Sequence, residues 1–489
     1  MDLPLLKTQP QKNFKEFNEA TNFEAKAGFK LTPLQVIDIE QFGEWRKSLN
    51  RYEVGGGKTV VSTVVSLMSN AEATIVIVPP ILLLSWQRWL TKVSSNILRY
   101  QGTPKVRAAF ALEDKRWILM SHAIFRRDFE RLMEELKETE VELIVDEAQA
   151  MKNPKSKLYG CVGIMSKNRR LQMLTGTPTS KPLDAYTYIR LKSPEIYRSY
   201  EHFLHAHVAN KDFFGAVTEY QNLEELAKNF ALKSIVRDKM ELHGYNNAPL
   251  YPDTTYELSK EHLELYNKLV EEQLLLFEDG TKIDATTATR LYHALQQLVV
   301  NYDYFSGDST VKSAAYDLID SVVEQTDCLD YSKSKLIIWT VYKMSSRNII
   351  AYLRKQGFGV VGAYSEVNSA KSFDQFMEDP ATRILVAQPQ SAGAGLNPQS
   401  VCWESLTIET STIPMLSRQA NGRLDRVGQL HKPTMRYAVA NETIQVTLLD
   451  KLMHADDLVQ RVERTKTSLR EALQGRLSQE LVSTPRLPA

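Results

Sequence analysis

Tyr52-Glu53-Val54-Gly55-Gly56-Gly57-Lys58-Thr59 decides how this chain is read. Three glycines stand before a Lys-Thr pair, and the helical pattern Val60–Met68 follows. Such a loop lets backbone N–H groups close round phosphate oxygens at a helix N-terminus, where the dipole favours an anion. Gly55, Gly56 and Gly57 would cradle the phosphates, Lys58 would reach the outer ones, and the Thr59 hydroxyl would ligate magnesium. The generic loop carries one more glycine, where Tyr52 stands here. Taken alone the stretch also suits a plain glycine-rich turn, so its neighbours matter.

Leu143-Ile144-Val145-Asp146-Glu147-Ala148-Gln149 supplies the next station: an apolar strand that ends in two acids. In an α/β sheet such a strand places its last residues at the carboxyl edge, where these folds bind ligands. Asp146 is then expected to hold magnesium, and Glu147 to orient and deprotonate an attacking water. Leu174-Thr175-Gly176-Thr177-Pro178 ends another strand, and its hydroxyls Thr175 and Thr177 could relay nucleotide state toward a bound polymer. Ser391-Ala392-Gly393-Ala394-Gly395-Leu396-Asn397 reads as a second backbone-rich anion loop. Near the C-terminus, Arg418–Gln429 holds Arg423 and Arg426, one helical turn apart, which suit arginine fingers for the charge of a phosphoryl transition state.

Composition sets the frame. A chain of 489 residues is too long for one ordinary core and suits two or three domains. Its 43% hydrophobic and 24% charged residues are those of a globular protein. With 60 Lys+Arg against 59 Asp+Glu, whole-chain charge neither supports nor excludes nucleic acid. Cys161, Cys328 and Cys402 show no paired spacing, so neither a disulfide framework nor a zinc site is expected and a reducing cytoplasm fits. Thr74–Leu84, the most apolar run, is broken by Pro79-Pro80 and is too short to cross a bilayer. No signal peptide and no dimerisation stripe are visible, so a soluble monomer is expected, cytoplasmic in a bacterial or phage-infected cell and nuclear in a eukaryotic one.

The pattern predicts an α/β protein with two doubly wound parallel-sheet lobes and helical insertions between them. Strand-like runs at Thr74–Val78, Arg116–Met120, Val141–Val145 and Arg170–Leu174 mark the first lobe; those at Lys335–Thr340, Gly359–Ala363, Thr382–Ala387 and Glu404–Glu409 mark the second. The expected division is an extension over residues 1–30, lobe one over 31–240, a helical insertion and linker over 241–330, lobe two over 331–455, and a charged helix and tail over 456–489. The stretch Leu183–Val300, with Leu, Glu, Lys and Tyr at helical spacing, reads as helical insertions around a lobe junction.

In order and spacing these stations resemble superfamily 2 helicases and translocases, and among them the Swi/Snf-like group, over roughly Leu31 to Leu452. Tyr52–Thr59 is similar to that group's motif I, which also lacks the first glycine. Val78–Trp86 resembles motif Ia, Met120-Ser121-His122 motif Ib, and Asp146–Gln149 running into Met151–Ser156 motif II. Thr175–Pro178 matches motif III, Val236-Arg237-Asp238-Lys239 the element closing lobe one, and Lys335–Tyr342 the start of lobe two. Ser391–Asn397 matches motif V, and Gln419–Gln429 motif VI.

The resemblance implies two RecA-like lobes, ATP and Mg2+ as cofactors, and a motor on double-stranded or branched DNA. It makes Gln35 the adenine reader, adds Gln419 to the nucleotide site, and puts Arg88, Ser121, Lys152, Asn153, Gly393 and Asn397, with Trp86, among the DNA-facing residues. Two positions depart from the group. Gln149 stands for its usual His, at a place that couples hydrolysis to movement, and Ser180-Lys181 stands for Gln-Asn. The short Asn397–Gln419 interval has no room for a long wedge, which favours translocation over processive unwinding. A strand-separating helicase on forked DNA or RNA is the alternative. A non-catalytic adaptor would predict erosion of Lys58, Thr59, Asp146, Glu147, Arg423 and Arg426, all of which are present.

Overall fold

The computed structural model describes residues 13–213, 215–244, 247–272, 274–276, 282–284, 288–306, 311–392 and 396–463. They divide into two compact units, one of residues up to 244 with 458–463, the other of residues 247–457. No described helix is long and apolar enough to cross a membrane.

The first unit is built on seven strands: β1 (Lys47–Tyr52), β2 (Ala73–Val78), β3 (Ile97–Arg99), β4 (Trp117–Ser121), β5 (Val141–Asp146), β6 (Arg170–Leu174) and, after a hairpin of β7 (Val208–Lys211) with β8 (Val217–Tyr220), β9 (Ser234–Arg237). All seven run parallel in the order β3-β4-β2-β5-β6-β1-β9. Every residue of β2 and β5 is buried, as a parallel strand covered on both faces requires. β1 stands between β6 and β9 and feeds the glycine loop into the helix Lys58–Met68.

Residues 13–27 are part of this body. Asn13 caps the helix Phe14–Thr21, a second helix Phe23–Ala27 follows, and Phe14, Phe17 and Phe23 lie buried in one cluster with Ile39, Phe42, Val61 and Val64. Their spacing, set among charged residues, hid an apolar face.

The second unit carries the short pair β10 (Thr255–Tyr256) and β18 (Val439–Ala440), a hairpin of β11 (Leu274–Leu276) and β12 (Lys282–Asp284), and a five-stranded sheet. That sheet comprises β13 (Lys335–Trp339), β14 (Val360–Ala363), β15 (Ile384–Ala387), β16 (Cys402–Thr407) and β17 (Thr434–Tyr437). It is again wholly parallel, in the order β14-β15-β13-β16-β17. Two parallel sheets with helical crossovers are the doubly wound architecture that the alternating pattern predicts.

Two expectations change. The stretch 183–300 holds more than helical insertions: it includes the β7–β8 hairpin and the edge strand β9, and it contributes to both units. The charged C-terminal helix starts earlier, at Ile444, and runs to Glu463, with Leu452, Asp456, Val459 and Val462 buried; residues 464–489 lie outside the described set.

Candidate nucleotide site

The glycine loop owes its shape to residues around it. Gly57 has φ +89°, a left-handed turn that favours glycine, and a Cβ there would stand 2.7 Å from the Gln35 amide nitrogen and displace it. No side chain caps the helix Lys58–Met68, which leaves its first N–H groups to a ligand. Lys58 folds back over the loop, its Nζ donating to the carbonyls of Tyr52 at 2.9 Å and Glu53 at 3.1 Å. Gly176 closes on the same place: a Cβ there would lie 3.1 Å from the Tyr52 carbonyl oxygen and 3.4 Å from Lys58 Nζ. The Thr175–Thr177 turn therefore rests on the phosphate loop, held by the Thr175 hydroxyl accepting from the Thr177 N–H at 3.1 Å.

Tyr52 explains why the loop lacks its first glycine. The ring is fully buried, and the hydroxyl donates to Asp38 at 2.7 Å. Burial, reinforced by that carboxylate, drives the phenol well above its usual range, so it stays protonated as a donor. Arg237, at the end of β9, donates two hydrogen bonds to the same Asp38, and Lys239 donates its N–H to Glu53 at 3.2 Å. Gln35 caps its own helix with Thr32 and donates its side-chain amide to the Gly56 carbonyl at 3.0 Å.

Asp146 ends β5, buried, with both carboxylate oxygens occupied: Oδ2 accepts the Trp86 indole N–H at 2.8 Å, and Oδ1 accepts the Glu147 N–H at 2.9 Å. The His122 ring meets the Asp146 carbonyl at 3.0 Å. Burial, then the charge of Glu147, raises the Asp146 carboxyl above its usual range; Lys58 acts in the opposite direction. Glu147 has φ +51°, a left-handed conformation that costs a non-glycine residue about 1–2 kcal/mol. Gln149, the residue that replaces histidine, donates to Glu147 Oε2 at 2.6 Å.

In the second unit the helix Pro414–Leu424 holds Gln419 and Arg423, both buried. Arg426 lies beyond the helix end, in the turn leading to Gln429, so the two arginines are not successive positions of one helix. Each is tied to the Leu396-Asn397 stretch: Arg423 donates to the Leu396 carbonyl at 3.2 Å, and Arg426 to the Asn397 side chain. Burial, then the like charge of Arg423, lowers the Arg426 guanidinium to about 10.

The proposed DNA-facing residues divide. Arg88 and Asn153 are exposed. Ser121 is buried and caps the helix His122–Arg127, Lys152 donates to the Ser180 hydroxyl at 2.6 Å, and Asn397 holds Arg426. Trp86 is core, pointing its N–H at Asp146. Gly393 lies outside the described residues. Three participants escaped the sequence reading: Asp38, Trp86 as a partner of Asp146, and Glu463, whose Oε1 accepts from the Thr179 N–H at 3.1 Å and hydroxyl at 2.6 Å.

A glycine loop after one parallel strand and an acid pair at the end of another define the phosphate-loop class of α/β proteins. The family described as SNF2-related domain matches residues 15–301, more than half of the chain, and the chain belongs to that family. It is 22% identical over 419 residues to the human DNA annealing helicase and endonuclease ZRANB3, an alignment covering 81% of this chain and 37% of the relative. It is 26% identical over 410 residues to mouse SWI/SNF-related matrix-associated actin-dependent regulator of chromatin subfamily A member 1, covering 77% of this chain and 37% of the relative. This chain thus spans little more than a third of the length of these relatives. Among solved structures it is similar to the Sulfolobus solfataricus SWI2/SNF2 ATPase core in complex with dsDNA, at 21% identity and a TM-score of 0.40, covering 91% of this chain and 97% of that one.

Proposed function

We propose that this chain is an ATP-driven motor that moves along double-stranded or branched DNA. The observation that carries the reading is the convergence on Lys58, which lies over the glycine loop, bears on Asp146 by its charge, and is overlaid by the Thr175–Thr177 turn. Loop N–H groups and Lys58 bind the ATP phosphates, with Gln35 and Gln419 assigned to the nucleotide. Glu147 orients the attacking water and takes its proton, and Arg423 and Arg426 meet the charge that develops on the transferred phosphoryl group.

The residues fit magnesium. The protein donors assigned to it are one carboxylate, Asp146, and one hydroxyl, Thr59. That is the sparse set with which Mg2+ is held when substrate phosphates and water complete its shell. Held by Asp146 and Thr59, the ion would supply positive charge against the phosphates.

DNA as the track follows from family membership and the DNA annealing helicase among the relatives; Arg88 and Asn153 are the exposed side chains assigned to it. ATP hydrolysis measured without nucleic acid, then with blunt duplex, single-stranded DNA, a four-way junction and RNA, tests the reading. Duplex or junction should stimulate most. Stimulation by single strands or RNA alone would point to a conventional helicase, and no hydrolysis with any of them to an adaptor. One observation favours strand separation as a second reading: Phe213, which follows β7, is 96% exposed. A forked substrate unwound by the wild type but not by Phe213→Ala would support it.

A further inference from the structure

The helix Leu83–Leu90 turns two indole N–H groups toward Asp146 and toward the helix that follows the glycine loop. Trp89 donates its N–H to the Thr63 hydroxyl at 2.9 Å, on the helix that starts at Lys58. Trp86 donates to Asp146 Oδ2 at 2.8 Å, with its ring 2% exposed and packed among Val78, Leu90, Leu119, Ile144 and Leu174. The other oxygen, Oδ1, accepts the Glu147 N–H, so the carboxylate is gripped at both ends and cannot turn about its Cβ–Cγ bond without losing a buried hydrogen bond. Each oxygen keeps a second lone pair.

We propose that Trp86 is a positioning residue for the cation site: its N–H fixes the plane of the Asp146 carboxylate so that a lone pair faces a hard divalent cation bound with the nucleotide phosphates. This rests on the proposed nucleotide site. Apolar packing alone would be served by any large ring; the N–H is what the carboxylate uses. Groups that orient a metal-holding carboxylate typically contribute 10–100-fold to metal affinity.

Two replacements remove the N–H, Trp86→Phe and the isosteric Trp86→3-benzothienylalanine, which keeps the bicyclic shape with sulfur in place of N–H. Mn2+ binding to the full chain, followed by electron paramagnetic resonance with a non-hydrolysable ATP analogue, should weaken about 10–100-fold in both. Binding of a fluorescent nucleotide in EDTA should stay at the wild-type level, because the glycine loop and Lys58 are untouched; a purely structural role would weaken both readouts together. Unchanged Mn2+ affinity in the isosteric variant overturns the inference while leaving the nucleotide site in place. A wild-type chain that binds no Mn2+ with nucleotide overturns the site itself.

Discussion

Arg237 and Asp38 form a two-pronged ion pair, Nε to Oδ2 at 2.8 Å and Nη2 to Oδ1 at 2.7 Å, across 199 positions of sequence. Asp38 is fully buried and also accepts the Tyr52 hydroxyl, so one carboxylate joins the end of β9, the helix Pro33–Glu44 and the first residue of the phosphate loop. Asp38→Ala leaves a half-buried guanidinium and a buried phenol without their acceptor. Removing one partner of a buried pair costs about 3–5 kcal/mol. Urea unfolding should show a loss of that order, with weaker nucleotide binding, since the Tyr52 carbonyl is a Lys58 partner; an unshifted midpoint would remove Asp38 from this role.

Glu147→Gln should bind ATP and DNA while hydrolysing about 10²–10⁴-fold more slowly, because an amide cannot take the proton from water. The Gln149 amide can still donate to the new carbonyl, so the local shape is kept. Single-turnover hydrolysis measures it, and a normal rate would place the base elsewhere.

Arg426→Ala should leave ATP binding nearly intact and lower turnover by about three to five decades if the side chain is a finger. Asn397→Ala separates two roles for that asparagine. As the holder of Arg426 it should lower kcat with DNA affinity unchanged; as a backbone contact it should weaken DNA binding first.

His262 gives the second unit an acid limb. Its ring meets the Leu298 carbonyl at 3.0 Å through Nε2 and stacks on Tyr302 with 4.3 Å between centroids, and burial lowers the imidazole to about 4 from 6.5. The folded value lies below the unfolded one, so unfolding takes up a proton between them. The contribution is whole above about pH 6.5 and falls as pH drops toward 4, by about 3 kcal/mol in all. Urea midpoints at pH 7 and pH 5 should differ more for the wild type than for His262→Phe.

What the sequence disclosed, and what it hid, follows from distance along the chain. The glycine loop and the acid pair are local, and the buried runs of β2 and β5 announce themselves by composition. β1 did not: Lys47-Ser48-Leu49-Asn50-Arg51-Tyr52 reads as polar, yet Ser48, Asn50 and Arg51 are buried. Arg51 is satisfied by the Ser234 hydroxyl and the Glu463 carbonyl and lies over the Phe230 ring at 4.8 Å. Partners that remote leave no pattern in the strand itself. Trp86 was legible as an aromatic at the expected spacing, but its use became visible only with β5 beside it, 60 positions later.

Val462 belongs to the core cluster that includes Leu143 and Leu226, and Glu463 closes on Thr179 and Arg51. A ribosome therefore releases the first unit without its last piece and must finish the entire second unit before supplying it. Closure of the first unit waits on synthesis as far as Glu463, and a fragment ending after the first sheet would lack the carboxylate that holds Thr179 and the carbonyl that accepts from Arg51.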